Sequence, residues 1–306
     1  MLGSQILTQD QERGATPEAM KKTTTTPSVE QIINDALAIE AESAQDAGSL
    51  GFMARAMVQA TLPHKKVEGN EFERRNGNYT LTLLAPSKIG LPYGSIPRLL
   101  LAWLTTEAVK TKSRELELGD SLSGFMRELG LMPTGGARGD ITRLKDQALR
   151  LFSCTVTATY DDAKKHAGMG YRLADKAVLW WDTPEDQSGQ WQSTVKLSET
   201  FFGEIVAHPI PVDMRALNAL KKSPLALDIY CWLTYRASYA KRPSVIPWSA
   251  LALQFGSDYA ELRFFKRAFL EELRKVFTVY AGIQVEATDE GLLVKPSLTH
   301  IRKKDA

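Results

Sequence analysis

An α+β fold made of one unit written twice is predicted for this chain by three observations. Two helical patterns end alike, at Trp103-Leu104-Thr105 and at Trp232-Leu233-Thr234. Each is followed by a short extended stretch and a helix that closes on a glycine, at Leu129-Gly130 and at Phe255-Gly256. Each glycine is followed by a basic helix and then a strand, with Thr155-Val156-Thr157-Ala158 set against Thr278-Val279-Tyr280-Ala281. The interval between the copies shortens by the same small step from anchor to anchor, as two copies with slightly different loops should show.

Composition allows such a pair. With 306 residues and 43% hydrophobic content the chain can bury sizeable cores, and its length is that of two domains. No apolar run approaches the ~20 residues that span a bilayer, and no basic then apolar leader opens the chain, so a cytoplasmic protein is expected. Cys154 and Cys231 are far apart in apolar stretches and read as buried thiols. The net charge of +2 is unevenly spread: the first 60 residues hold four basic and eight acidic residues, leaving +6 for the rest. A basic body suits a protein that meets phosphates, although an imbalance of this size decides nothing alone.

Taken in order, residues 1–28 are polar, with a threonine run from Thr23 to Thr26, and are expected to be a disordered leader. Residues 29–70 carry amphipathic helices and a linker: Val29, Ile32, Ile33, Ala36 and Leu37 follow helical spacing after Ser28 as N-cap, and Phe52 to Leu62 is a second helical patch. A first domain, 71–208, opens with a hairpin turning at Asn76-Gly77-Asn78. It continues through a buried helix from Ile96 to Val109, an extended Arg114 to Leu118, a helix started by Ser121, and a helix from Ile141 to Phe152 capped by Asp140. Ser153 to Tyr160, Tyr171 to Trp181 and Trp191 to Leu197 follow as strands, and Glu199 to Val206 as a helix. The run His208-Pro209-Ile210-Pro211 breaks the chain and places the boundary near Pro209. The second domain, 209–301, holds helices at Met214 to Leu220, Pro224 to Tyr239, Trp248 to Phe255 and Tyr259 to Val276, then strands at Phe277 to Glu286 and Gly291 to Leu298. A basic tail, 302–306, ends the chain.

Helix, strand, helix-turn-helix and β wing is the element order of a winged helix, so tandem winged-helix domains are expected, each with a basic third helix shaped for the major groove of duplex DNA. In the second unit Asp258 and Glu261 stand at capping-box spacing, and Leu262, Phe265, Phe269 and Val276 mark the buried stripe. The other face offers Arg263, Lys266 and Arg267, then Arg274 and Lys275, with Tyr259 placed to touch sugar or phosphate. An arginine there can pair with guanine for roughly 1 to 3 kcal/mol of discrimination, while lysines neutralise phosphates. The first unit offers Arg138, Arg143, Lys145 and Arg150 after the approach Gly135-Gly136-Ala137-Arg138-Gly139, which lacks the Gly-Lys-Ser/Thr end of a P-loop. The competing interpretation makes these cations the solvated side of ordinary helices, paired with Glu261 or Glu271.

Catalytic signatures are absent. His64, His166, His208 and His300 are scattered, no cysteine pair has zinc spacing, and no His-apolar-His motif marks a strand-nicking endonuclease. Asp161-Asp162 and Glu271-Glu272 fall on a strand end and a charged helix face, where solvated roles are commoner than acid-base work. No enzyme, metal or cofactor is expected.

The stretch Leu91-Pro92-Tyr93-Gly94-Ser95-Ile96-Pro97-Arg98-Leu99-Leu100, the Trp103-Leu104 helix, Leu122 to Leu131 and Gly136 to Phe152 resemble the plasmid-encoded RepA-type replication initiators. The resemblance extends more loosely to about Lys295 and leaves out residues 1–70. It implies a protein that binds repeated duplex DNA sites at a plasmid origin, helps open an adjacent AT-rich segment, and recruits the host initiator and replicative helicase. It further implies a homodimer in equilibrium with monomer that represses its own promoter, with the C-terminal unit reading bases and the N-terminal unit on the backbone. Arg263, Lys266 and Arg267 then become specificity residues, and Arg138, Arg143, Lys145 and Arg150 phosphate contacts or an alternative reader. The helix from Ile32 to Ile39 is a candidate helicase contact. A winged-helix repressor without replication activity is the alternative, and an enzyme with a cleft between the units is the third.

Overall fold

The computed structural model describes residues 35–40, 42–179, 193–256 and 259–301. The expected leader, Ser28 as a cap, Trp180, Trp181, Trp191, Asp258 and the basic tail lie outside them.

Residues 35–40 are helical. The patch expected to be one helix from Phe52 to Leu62 is instead β1 (Leu50–Ala54) followed by a short α1 (Arg55–Gln59). Its partner explains the difference, because β1 pairs antiparallel with the distant run after His208. Hairpin β2 (Glu71–Asn76) and β3 (Tyr79–Leu84) turns as expected, with only Gly77 of the turn at positive φ (58°).

The first unit begins with α2 (Ser95–Thr111), which is buried on nearly every side from Ile96 to Thr106 and forms the central post of the molecule. It continues with β4 (Glu115–Glu117), α3 (Leu122–Glu128) and α4 (Asp140–Ser153). Ser121 caps α3 by accepting the Gly124 N–H, as its position predicts. Asp140 does not cap α4: the helix starts on it, after Gly139, and its carboxylate takes the Met132 N–H and pairs with Arg143.

Next comes an insertion that sequence spacing misplaced. β5 (Thr155–Asp161) and β6 (His166–Arg172) form a second hairpin that pairs with β3, making a four-stranded antiparallel sheet in the order β2-β3-β5-β6. The wing follows as β7 (Ala174–Val178) and β8 (Thr194–Leu197), joined to β4 in the order β4-β8-β7. The single strand expected over Tyr171 to Trp181 is therefore broken at Leu173, where the chain passes from one sheet to the other.

After α5 (Glu199–Ala207), the proline run is β9 (Pro209–Asp213), the partner of β1, and not a break. Proline is tolerated because the sheet has two strands and β9 needs donors along one edge only. The second unit is α6 (Met214–Leu220), α7 (Pro224–Tyr239), β10 (Ser244–Pro247), α8 (Trp248–Phe255), α9 (Leu262–Val279), β11 (Val285–Ala287) and β12 (Gly291–Val294). Its sheet order, β10-β12-β11, repeats that of the first wing.

Two of the three sequence anchors mark equivalent places. Trp103 of α2 meets Phe125 of α3 edge-on at 5.0 Å and 84°, and Trp232 of α7 meets Phe255 of α8 at 5.4 Å and 74°. The third does not: Thr155 to Ala158 is a strand of the inserted hairpin, whereas Thr278 and Val279 still belong to α9. The glycine stops are obligatory for different reasons. Gly130 sits at φ 69°, and a side chain on Gly256 would run into the Ala252 carbonyl, which accepts its N–H.

The buried apolar residues of both units form one continuous cluster. At its centre Arg98 of α2 spans to Asp228 of α7 through two hydrogen bonds of 2.7 and 2.6 Å, and donates to the carbonyls of Leu62, Pro63 and Gly94. His64 Nε2 lies 2.7 Å from the same carboxylate. Burial works against the Asp228 charge, but Arg98 and His64 outweigh it and hold the carboxyl below its usual range. Burial pushes His64 down, so the neutral ring donates to Asp228. This cluster fixes one unit against the other. Cys154 and Cys231 are buried free thiols, and burial pushes the Cys154 thiol up to about 12.

Candidate nucleic-acid interface

α9 buries Phe265, Phe269, Leu273, Val276 and Val279, with Phe269 against Trp248 at 6.0 Å and Phe255 at 5.6 Å. Its first residue is Leu262, so Glu261 is the N-cap position and not the third helical residue that a capping box requires; its side chain makes no cap bond and pairs with Arg263 at 2.9 Å. Leu262, expected in the buried stripe, is exposed for the same reason.

Opposite the buried stripe, Arg263, Arg267 and Arg274 recur at helical spacing along one exposed strip. Among the described residues, the guanidinium groups of Arg267 and Arg274 have no ion-pair or hydrogen-bond partner, which leaves their donors free for another molecule. Arg263 lies over the Phe264 ring at 4.9 Å. The remaining cations of the helix are engaged. Lys266 turns inward, donating to the Thr288 carbonyl at 3.3 Å with its ammonium 5.0 Å from the Trp248 ring, and Lys275 pairs with Glu272 at 2.7 Å. Tyr259 is partly exposed and leans its ring on Phe265.

α4 presents a different surface. Arg143 pairs with Asp140 at 2.9 Å, and Arg150 is held by Asp146 at 2.8 Å, by the Leu91 carbonyl and by the Tyr93 ring, leaving only 15% of its side chain exposed. Lys145 and Arg138 are exposed. Lys145 shares a cleft of about 440 Å³ between α4 and β7 with Arg172 and Lys176, over a floor that includes Phe152 and Leu179. Sequence reasoning missed Arg172 and Lys176, because the β5-β6 hairpin separates them in sequence from α4, beside which they stand in the fold. The glycine-rich approach to α4 is internally bonded, with the Gly139 amide given to the Gly136 carbonyl.

Chemically, this is a surface of cations carried on rigid helices, suited to holding a polyanion. Among the described residues, no three His, Cys, Asp or Glu side chains converge as a metal site, and no helix is long and apolar enough to cross a membrane.

Comparison with known proteins agrees with the architecture. Residues 91–249, more than half of the chain, match the sequence profile of a family described as plasmid-encoded RepA protein; the match ends at Ser249, ahead of α9. No curated protein matches the chain. A crystal structure of selenomethionine derivatives of domains 2 and 3 of RctB superposes with a TM-score of 0.50 at 12% identity, covering 76% of this chain and 95% of that one. A second crystal structure of RctB domains 2-3 gives 0.48 at 12% identity, covering 78% and 96%. At this identity the first likeness is one of fold.

Proposed function

Because the chain belongs to the family of plasmid-encoded RepA replication initiators, we propose that it binds repeated duplex sites at a plasmid origin through two clamped winged helices, with α9 reading bases. The observation that carries this reading is the exposed strip of Arg263, Arg267 and Arg274, two of whose guanidinium groups have no partner among the described residues. An unpaired arginine fork on the first two turns of a third helix matches the O6 and N7 acceptors of guanine in the major groove. Arg138, Lys145 and Arg143, with Arg172 and Lys176, bring the first unit onto phosphates. Lys266 and Arg150 act from behind, fixing the wing and the helices that carry the contacts, while Lys275, paired with Glu272 on its own helix, and Tyr259 stand at the edges of the reading helix.

With both units held by Arg98 and Asp228, a site contacted by both meets them at a fixed separation, and the duplex rather than the protein bends or twists where the two do not match. Deformation energy stored at flexible steps then favours opening of an adjacent AT-rich segment. Recruitment of the host initiator and helicase, autorepression, and a homodimer in equilibrium with monomer complete the proposal. Titration with duplex carrying direct repeats, against random duplex at the same salt, tests it: a preference of 10³ or more is expected of a specific binder, and equal affinity rejects it. Replication of a plasmid lacking its own initiator, when this chain is supplied, separates an initiator from a repressor.

A further inference from the structure

Phe264 occupies the first turn of α9 between Arg263 and Arg267, and its ring is 46% exposed. The buried stripe runs through Phe265 and Phe269 and is complete without it. A large aromatic on a polar helix face forgoes the burial that normally stabilises such side chains. The Arg263 guanidinium lies over the ring at 4.9 Å, which orients the ring on the exposed strip.

We propose that Phe264 reads thymine. Its ring packs on the 5-methyl group, the one apolar feature that unmodified base edges present in the major groove, beside the base addressed by Arg267. This rests on the duplex-binding reading above and names the base selected next to the arginine contact. The apolar contact and the fork are complementary, because the methyl offers no hydrogen bond that an arginine can use and guanine offers no methyl.

The test uses the full chain to select duplexes from a randomised library, then resynthesises the best one with deoxyuridine for each thymine in turn. That exchange deletes one methyl and leaves every hydrogen-bonding group in place. At one or two positions deoxyuridine should weaken binding about four-fold, the worth of one buried methyl, and the Phe264→Ala variant should show no penalty there. Because Phe264 lies outside the core, that variant keeps its fold, which its far-ultraviolet spectrum checks. If deoxyuridine costs nothing anywhere, or if Phe264→Ala retains the full penalty, the thymine assignment is overturned. The duplex reading then still stands provided Arg267→Ala weakens binding to the same duplex. If no sequence is enriched at all, both fall.

Discussion

The two units are alike inside and unlike outside. Their third helices each lay a buried stripe, Leu144, Ala148 and Leu151 in α4 and Phe265, Phe269 and Val276 in α9, beneath an exposed charged face. Each unit joins its first two helices through an edge-on tryptophan and phenylalanine contact. Both third helices pair some of their acids with their own cations, Asp140 with Arg143 and Asp146 with Arg150 on α4, Glu261 with Arg263 and Glu272 with Lys275 at α9, but among the described residues α9 leaves two arginines unpaired where α4 leaves one lysine. Packing residues have to satisfy the same helix geometry in both copies, so they stay alike. Surface residues answer only to what they touch, and on the proposed function the two faces would serve different tasks: reading in the second copy, holding in the first.

The largest expected effect tests the joint that makes the comparison meaningful. Arg98→Ala leaves Asp228 buried without its cation and should destabilise the chain by roughly 3 to 5 kcal/mol, measured by urea unfolding; a loss below about 1 kcal/mol would show that the units are held by something else. Next, Arg267→Ala should cost roughly 1 to 3 kcal/mol of discrimination between specific and random duplex. Asp146→Ala on α4 should cost none, and equal losses from both would erase the functional contrast. Thr105 and Thr234, at the same place in the two units, each bury a hydroxyl without a partner among the described residues. Replacement of either by valine should raise stability by about 1 kcal/mol in thermal melts, and by the same amount in both copies if their interiors are equivalent.

Acidity distinguishes the second unit from the first. His300, bonded to the Tyr230 hydroxyl at 2.7 Å and stacked on Tyr280, is pushed down by burial, as is His64 at the joint. Both are neutral in the fold and take up protons when unfolded, so their stabilising contribution is complete above about pH 6.5, the ordinary histidine value, and is lost as pH falls below it. Melting temperature should therefore drop from pH 7.5 to 5.5, and less so in His300→Gln. The smallest effect belongs to Lys145→Ala, which should flatten the logarithmic salt dependence of DNA binding by about 0.9, one phosphate contact.

Much of the second unit was legible. Met214 to Leu220, Pro224 to Tyr239 and Trp248 to Phe255 are helices over the residues their periodicity indicates, since caps such as Ser223 and stops such as Gly256 are local signals. What escaped depends on distant partners. Nothing near Leu50 announces a strand until Pro209 to Asp213 lies beside it, and Thr155 to Ala158 resembles a wing strand until β3 claims it. Among candidate contacts, composition supplied the cations but could not sort them: Lys266 and Arg150 face inward while Arg267 and Arg274 do not. Phe264 left a signal that could have been used, an aromatic residue one place off the buried stripe.

The ion pair between α2 and α7 has a consequence for the DNA. Two contact surfaces strung on a loose tether accept their targets at many separations, whereas two bolted through a shared core accept one. On the proposed function, spacing within each repeat would be dictated by the protein, and inserting about five base pairs, half a helical turn, between the two contact zones would carry one of them to the far side of the duplex.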